Sequence, residues 1–593
     1  MKRVFALVLA CLLVVPALIV PTSATKTVTT DEATETKSVV YSFTTTTDSE
    51  LEYLDTSIGG GKIEEKNKEK PDWYGRYVDG SAFYGYAFPI TTTGYTKLTF
   101  SAMMRGDIYV QVSLDKVTWE TAATIEMLGE TDKQGDAANR KWREIDLTAA
   151  YNKLGKVMSD TLYLRFGDYT PDGYGTNILA SHEASLTLTA PAGTRDNIEI
   201  ISFNTAKGHT GEEANYYHPD LSRTAAQGGT NDSCHFADRD IPLVYAYDMR
   251  STEIPEALTL SFKTANQLKL DVSTDAYHWV NVYTWEGTLT AEGSGGLARE
   301  VKTFDLLTAY KTALASYPSN MLYVRIGDSY PSTGWGGSIY HDVPFTLSIL
   351  WPERVATGEV VTLDFTVQGD DENDYFVGGG QGSGTTGRYA DRTNKIVYKY
   401  PLTNVDTSSE VMLTGTFTSQ LLLEVSLDNA NWVRAFKYYD IGTLSAQNAN
   451  DETTDNPTAQ SGYFFPLKER TIDLTAAIAE AAKVATSKEA LYFRVGDSHP
   501  TRVKADGTEM ISTEAKYNSN SGWGGQIHNN VTLTVRSSDS MKWVETQTNV
   551  VNQFTSDGTR YYLKSAEPML VTSGQGADQT GAVSVITVND HGQ

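Results

Sequence analysis

LYVRIGD at Leu322–Asp328, continued by SYPSTGWGG at Ser329–Gly337, decides how the rest of the chain is read. Its residues alternate. Leu322, Val324 and Ile326 share one face of an extended strand, and Tyr323, Arg325 and Gly327 share the other. The apolar face must pack on a core, while the Tyr-Arg-Gly face meets solvent, a ligand or a neighbouring domain. Close copies recur as LYLRFGDYTPDGYG at Leu162–Gly175 and as LYFRVGDSHP at Leu491–Pro500, where SGWGG is delayed to Ser521–Gly525. Three occurrences predict one folding unit used three times.

The surrounding landmarks keep the same order in each copy. An opening apolar strand ends at Phe43, Phe203 or Phe365. An acidic loop leads to Tyr53-Leu54, Tyr216-Tyr217 or Tyr375-Phe376, and then to a tetrad that starts on a basic residue and ends on aspartate: Arg76–Asp79, His235–Asp238, Arg388–Asp391. A cleanly alternating strand follows and ends in an aspartate with a tryptophan four residues on (Asp115/Trp119, Asp275/Trp279, Asp428/Trp432). Aspartate there bonds its own backbone in a turn, and the chain folds back as a hairpin. A capping aspartate at Asp146, Asp305 or Asp473 then opens a short helix ahead of the signature strand. Short alternating strands, Gly-rich turns and one short helix per copy predict an all-β chain. It reads as three tandem antiparallel jelly-roll-type β-sandwich domains, plus a partial fourth copy. Their strands have the wrong period for a solenoid, so the copies are expected as separate beads.

The domain reading is 1–24 signal peptide, 25–38 linker, repeats at 39–190, 197–350 and 359–536, and a truncated start of a fourth repeat at 541–593. Lys2 and Arg3, the apolar run Val4–Val20 and the small residues Thr22–Ala24 carry the export signal. Nothing later approaches membrane-spanning length, so the mature chain is expected to have no spanning segment. It would keep one cysteine, Cys234, which excludes an internal disulfide. A net charge of -25 with no basic stripe argues against nucleic acid as a partner.

The run VSLD…W, DLT, LYxRxGD, GWGG resembles bacterial extracellular β-sandwich modules of the galactose-binding-like and carbohydrate-binding group. That resemblance covers about 450 residues as three copies and implies sugar or protein binding at loop ends or on a sheet face, often with one structural calcium. Copy one departs from the pattern, with Tyr174 for the tryptophan and Thr176 for the second glycine.

Three sets of candidate residues follow. The loop aromatics Tyr174, Trp335 and Trp523 sit between glycines that let a backbone bend and expose a ring, on which a sugar's apolar face can stack. The competing reading has the rings plugging the sandwich ends. The strand pairs Tyr163/Arg165, Tyr323/Arg325 and Tyr492/Arg494 can fork bonds onto a carboxylate or hydroxyls, or pair with the tetrad aspartates Asp79, Asp238 and Asp391. Asp168, Asp328 and Asp497, at the strand exits, are the candidate ligands of a structural calcium, with no other cofactor expected. His182, His341 and His528 read as loop residues.

No G-x-S-x-G, HExxH or P-loop is present, and triplication with drifting loops suits repeated weak binding better than one tuned active site. The expectation is a non-catalytic, secreted or cell-surface protein whose partner is a glycan or surface polymer. The alternatives are a spacer or adhesin that contacts other surface proteins, and a polysaccharide-active enzyme.

Overall fold

The computed structural model describes most of residues 24–537. Excepted are 126–139, 170–174, 223–232, 288–295, 331–335, 401–409, 439–466, 499–524 and shorter breaks; beyond 537, only four short strands between Phe554 and Thr587 are described. Backbone contacts divide the chain into two units, Met1–Glu199 with Glu353–Val355, and Ile200–Pro352 with Ala356–Gln593.

Every copy is built from antiparallel sheets whose apolar faces alternate inward. In copy one the opening strand Thr36–Phe43 pairs with the closing strand Ala184–Pro191, which pairs with Lys97–Arg105. A separate four-stranded sheet runs in the order Phe83–Pro89, Thr161–Gly167, Ile108–Ser113, Glu120–Ile125. Copy two repeats this second sheet as Leu243–Asp248, Met321–Asp328, Leu268–Ser273, Val280–Thr284. Copy three repeats it as Ile396–Tyr400, Leu491–Asp497, Leu421–Ser426, Val433–Lys437, with Phe376–Gly378 added at the edge. The signature strand is therefore always bonded on both sides. Its inward residues Leu162, Leu164 and Phe166 are fully buried, as are Leu322, Val324 and Ile326. Each such side chain contributes roughly 1.5–3 kcal/mol by leaving water.

The local signals act as their chemistry requires. Oδ1 of Asp115, Asp275 and Asp428 accepts two successive backbone N–H groups across the hairpin turn. The residue after each aspartate, Lys116, Ala276 or Asn429, takes a left-handed φ of 62°, 63° or 57°. Asp146, Asp305 and Asp473 each accept the N–H two residues on, starting the helices Thr148–Leu154, Leu307–Ser316 and Thr475–Val484.

Two features differ from the sequence reading. Within residues 25–38, read as a linker, Thr25–Asp31 is a strand paired residue for residue with the opening strand. All its side chains are exposed, so it is held by the backbone ladder and leaves no hydrophobic alternation to detect. Copies two and three are also not separate beads. Val244, Ala246, Met321 and Tyr323 of copy two share one apolar cluster with Phe436, Tyr438 and Ile472 of copy three. Asp248 of copy two is bonded by Lys468 and Arg470 at 2.9 and 2.8 Å, and Asn320 exchanges two bonds with the backbone of Lys437. Alternation reports which residues leave water, not whether another copy covers the second face.

A one-turn helical element in each copy carries a glutamate into the sandwich: Glu50, Glu213 and Glu372 on Asp48–Leu51, Gly211–Asn215 and Asp371–Asp374. Four residues earlier the chain takes a left-handed φ at Thr46, His209 and Gln368 (70°, 53° and 62°). Tyr86, Tyr245 and Tyr398 each donate their hydroxyl to that glutamate, at 2.6, 2.9 and 2.7 Å. In copies one and three the first tetrad residue forks onto it. Arg76 meets Glu50 at 2.6 and 2.8 Å, and Arg388 meets Glu372 at 2.8 and 2.6 Å.

Candidate ligand-binding face

Alternation places Tyr163 and Arg165 on the face of copy one's second sheet that points away from the core. Arg165 lies directly across from Gln111 on the neighbouring strand, and its Nε donates to Gln111 Oε1 at 2.8 Å. Its guanidinium stands 4.3 Å from the ring centre of Phe83 and 4.1 Å from that of Trp119. Burial against these rings holds the arginine pKa below its usual value. Among the described residues no carboxylate pairs with it. Lys116 stands 4.8 Å from the Tyr163 ring and is itself tied to Asp55 at 2.6 Å. Tyr109 extends the aromatic surface toward Phe83 and the exposed Tyr169. Copy one thus carries a sheet face of half-buried rings around one cation that no acid among the described residues neutralises.

The same register gives different chemistry in the other copies. Arg325 lies across from Asp271 and bonds it at 3.1 and 2.8 Å, with Trp279 stacked at 4.2 Å. Arg494 lies across from Glu424 and bonds it at 2.6 Å, beside Trp432 at 4.2 Å. Lys395 also bonds Glu424. Burial raises that carboxyl's pKa, but Arg494 and Lys395 outweigh it and hold the group below its usual range. Tyr323 is fully buried in the cluster shared by copies two and three, and Tyr492 is buried as well. Neither tyrosine is open to a ligand, although Arg325 and Arg494 on the same strand faces stay half-buried.

The competing reading, an ion pair, holds in copies two and three, with a partner on the adjacent strand, and not in copy one, where Arg165 meets Gln111. Asp79 pairs with Lys62, and Asp238 and Asp391 lie outside the described residues. The partners come from the adjacent strand instead. Trp119, Trp279 and Trp432, hairpin landmarks in the sequence, each stack on the arginine of their own copy. The signal was present in the fixed spacing that puts the tryptophan at the start of the returning strand.

The loop aromatics Tyr174, Trp335 and Trp523 lie outside the described residues. Their glycine neighbours have a packing reason. A Cβ on Gly336 would fall 2.5 Å from the Ala237 carbonyl oxygen, and one on Gly525 would fall 2.0 Å from that of Gly496. Copy one's Thr176 fits by turning its hydroxyl to the Gly167 and Asp107 carbonyls, at 2.6 and 3.0 Å.

Asp168 accepts the Gly80 N–H and Asp328 the Tyr330 N–H, while Asp497 is half-buried at its strand exit. None of the three belongs to a cluster of three or more metal-type side chains among the described residues. The group that does is His209, Glu213 and His235 in copy two.

No family model matches the chain, and no curated protein matches it. Among solved structures it is similar to a Clostridium perfringens M60 catalytic domain with its CBM51-1 and CBM51-2 domains (9% identity, TM-score 0.14, 55% of this chain and 43% of that one). It is also similar to tandem CBM51 modules of a family 98 glycoside hydrolase from Streptococcus pneumoniae (8% identity, TM-score 0.14, 47% and 84%). The ANXUR1 extracellular domain from Arabidopsis thaliana matches at 9% identity and TM-score 0.15, over 55% and 95%. The chain spans less than half of the first of these, and at such scores none of them bears on the chemistry of this one.

Proposed function

We propose that this is an exported, non-catalytic protein that binds carbohydrate on the open sheet face of copy one, with copies two and three packed on each other in a structural role. The observation behind this reading is Arg165, set between Phe83 and Trp119 and facing Gln111 rather than an acid. Half-buried rings offer stacking surface to the apolar face of a sugar, and the guanidinium offers a planar fork to hydroxyls. With no carboxylate among the described residues to neutralise it, that fork favours a glycan bearing an acidic sugar, such as a uronic or sialic acid. No helix among the described residues is long and apolar enough to cross a membrane. The contacts that Tyr323 and Asp248 make with copy three favour a structural role for these two copies.

Affinity electrophoresis against neutral and acidic polysaccharides tests the proposal. Retardation on an acidic polymer should fall roughly tenfold or more for Trp119→Ala or Arg165→Ala, a loss of about 1.4 kcal/mol, and should survive Trp279→Ala. No retardation on any polymer, or retardation indifferent to both copy-one changes, would sink it.

A further inference from the structure

Copy two departs from its siblings at the buried glutamate. The arginine that forks onto Glu50 or Glu372 is replaced by His235, and the residue four before the glutamate, Thr46 or Gln368 elsewhere, is His209. Both imidazoles turn to the same carboxylate. His209 Nδ1 and His235 Nε2 each stand 2.9 Å from Glu213 Oε1, and the Tyr245 hydroxyl is 2.9 Å from that same oxygen. Glu213 and His235 are fully buried, and the His209 side chain is 11% exposed. The two rings stack with centroids 4.1 Å apart, and His341 meets His235 edge-on at 4.6 Å.

As a substitute for the arginine fork this arrangement is poor. Two imidazoles and the Tyr245 hydroxyl converge on one carboxylate, with His235 Nε2 bonded to Oε2 at 3.2 Å, and among the described residues the remaining ring nitrogens, His209 Nε2 and His235 Nδ1, are buried without a partner. As a set of ligands it is apt. Two imidazole nitrogens and a carboxylate oxygen, one from each residue, lie within 4.8 Å of one another. Tetrahedral zinc, at roughly 2.0–2.2 Å from each ligand, needs such atoms about 3.4 Å apart, a shift that side-chain rotation supplies. A cation at the point of convergence would be met by imidazole lone pairs in place of crowded protons. Nitrogen and oxygen ligands of this kind suit a first-row divalent metal over calcium.

We infer that His209, Glu213 and His235 form a site for a divalent transition metal, zinc by preference, where copies one and three carry an arginine–glutamate pair. Tyr245, donating to the carboxylate, would act as the outer partner that fixes its orientation.

The full chain without an affinity tag, stripped by chelator and titrated with zinc against a chromophoric competitor, tests the site. One equivalent per chain should bind, the thermal midpoint should rise, and cobalt in its place should give the visible absorption of a tetrahedral centre. Two substitutions install what the other copies already carry: His235→Arg, as at Arg76, and His209→Gln, as at Gln368. Each should weaken zinc binding at least tenfold, while the metal-free protein keeps its far-ultraviolet dichroism. Absence of stoichiometric binding, or zinc binding that either folded variant leaves unchanged, would overturn the assignment.

Discussion

Copies one and two carry nearly the same heptapeptide on the equivalent strand of equivalent sheets, yet the tyrosine is open in one and covered in the other. Tyr163 is half-buried beside a lysine, whereas Tyr323 is fully buried against copy three. Arg165 faces Gln111, and Arg325 faces Asp271 at the equivalent position. A strand motif therefore fixes where a side chain points, while the residue opposite it and the body above it fix its chemistry. Copying a unit preserves the first and leaves the other two free to diverge.

The largest expected effect comes from the tyrosines. Tyr323→Ala should destabilise its unit by about 3–5 kcal/mol, the range for deleting a buried aromatic ring. Tyr163→Ala should stay within about 0.5 kcal/mol, as for a surface change. Urea denaturation read by tryptophan fluorescence compares them, and equal losses would break the contrast between an open and a covered face.

A smaller effect concerns what holds the cover in place. Asp248 accepts from Lys468 and Arg470, and Asp248→Asn should cost about 1–3 kcal/mol at neutral pH. Burial raises this carboxyl's pKa, but the attraction of Lys468 and Arg470 outweighs it, so the folded-state pKa lies below the ordinary 3.8. A depressed folded value means the contribution is complete above 3.8 and is lost as pH falls through the folded pKa. The gap between wild type and Asp248→Asn in urea midpoint should therefore close below pH 3.8. A gap constant down to pH 2 would show that the carboxylate charge is not what joins copies two and three.

Much of this was legible in the residues themselves. Leu162, Leu164 and Phe166 declare their face by alternation, and Asp115 and Asp146 declare a hairpin turn and a helix start by bonding within two or three residues. What sequence spacing hides is contact between distant positions. Glu213 and His235 are 22 residues apart, and nothing in the acidic loop marks one carboxylate out for burial. Arg165 meets Gln111 across 54 residues, a partner that only strand register selects. The exposed strand Thr25–Asp31 leaves no pattern because its stabilisation lies in backbone bonds, which every sequence can make.

The finest test exchanges the residue opposite the arginine. Gln111→Asp gives copy one the carboxylate that copy two has, at a buried position where Gln111 also donates to Thr121, so stability should fall by about 1–3 kcal/mol while the fold is kept. Affinity for an acidic polysaccharide should nevertheless fall roughly tenfold, because an internal acid now competes for the guanidinium. The reciprocal Asp271→Gln releases Arg325 from its acid but leaves Tyr323 buried beneath copy three, so it should create no retardation. If the reciprocal change did create binding, charge alone would separate the two faces and the cover would be irrelevant. If neither change altered binding, the aromatic rings would be sufficient and the arginine would be only their spacer.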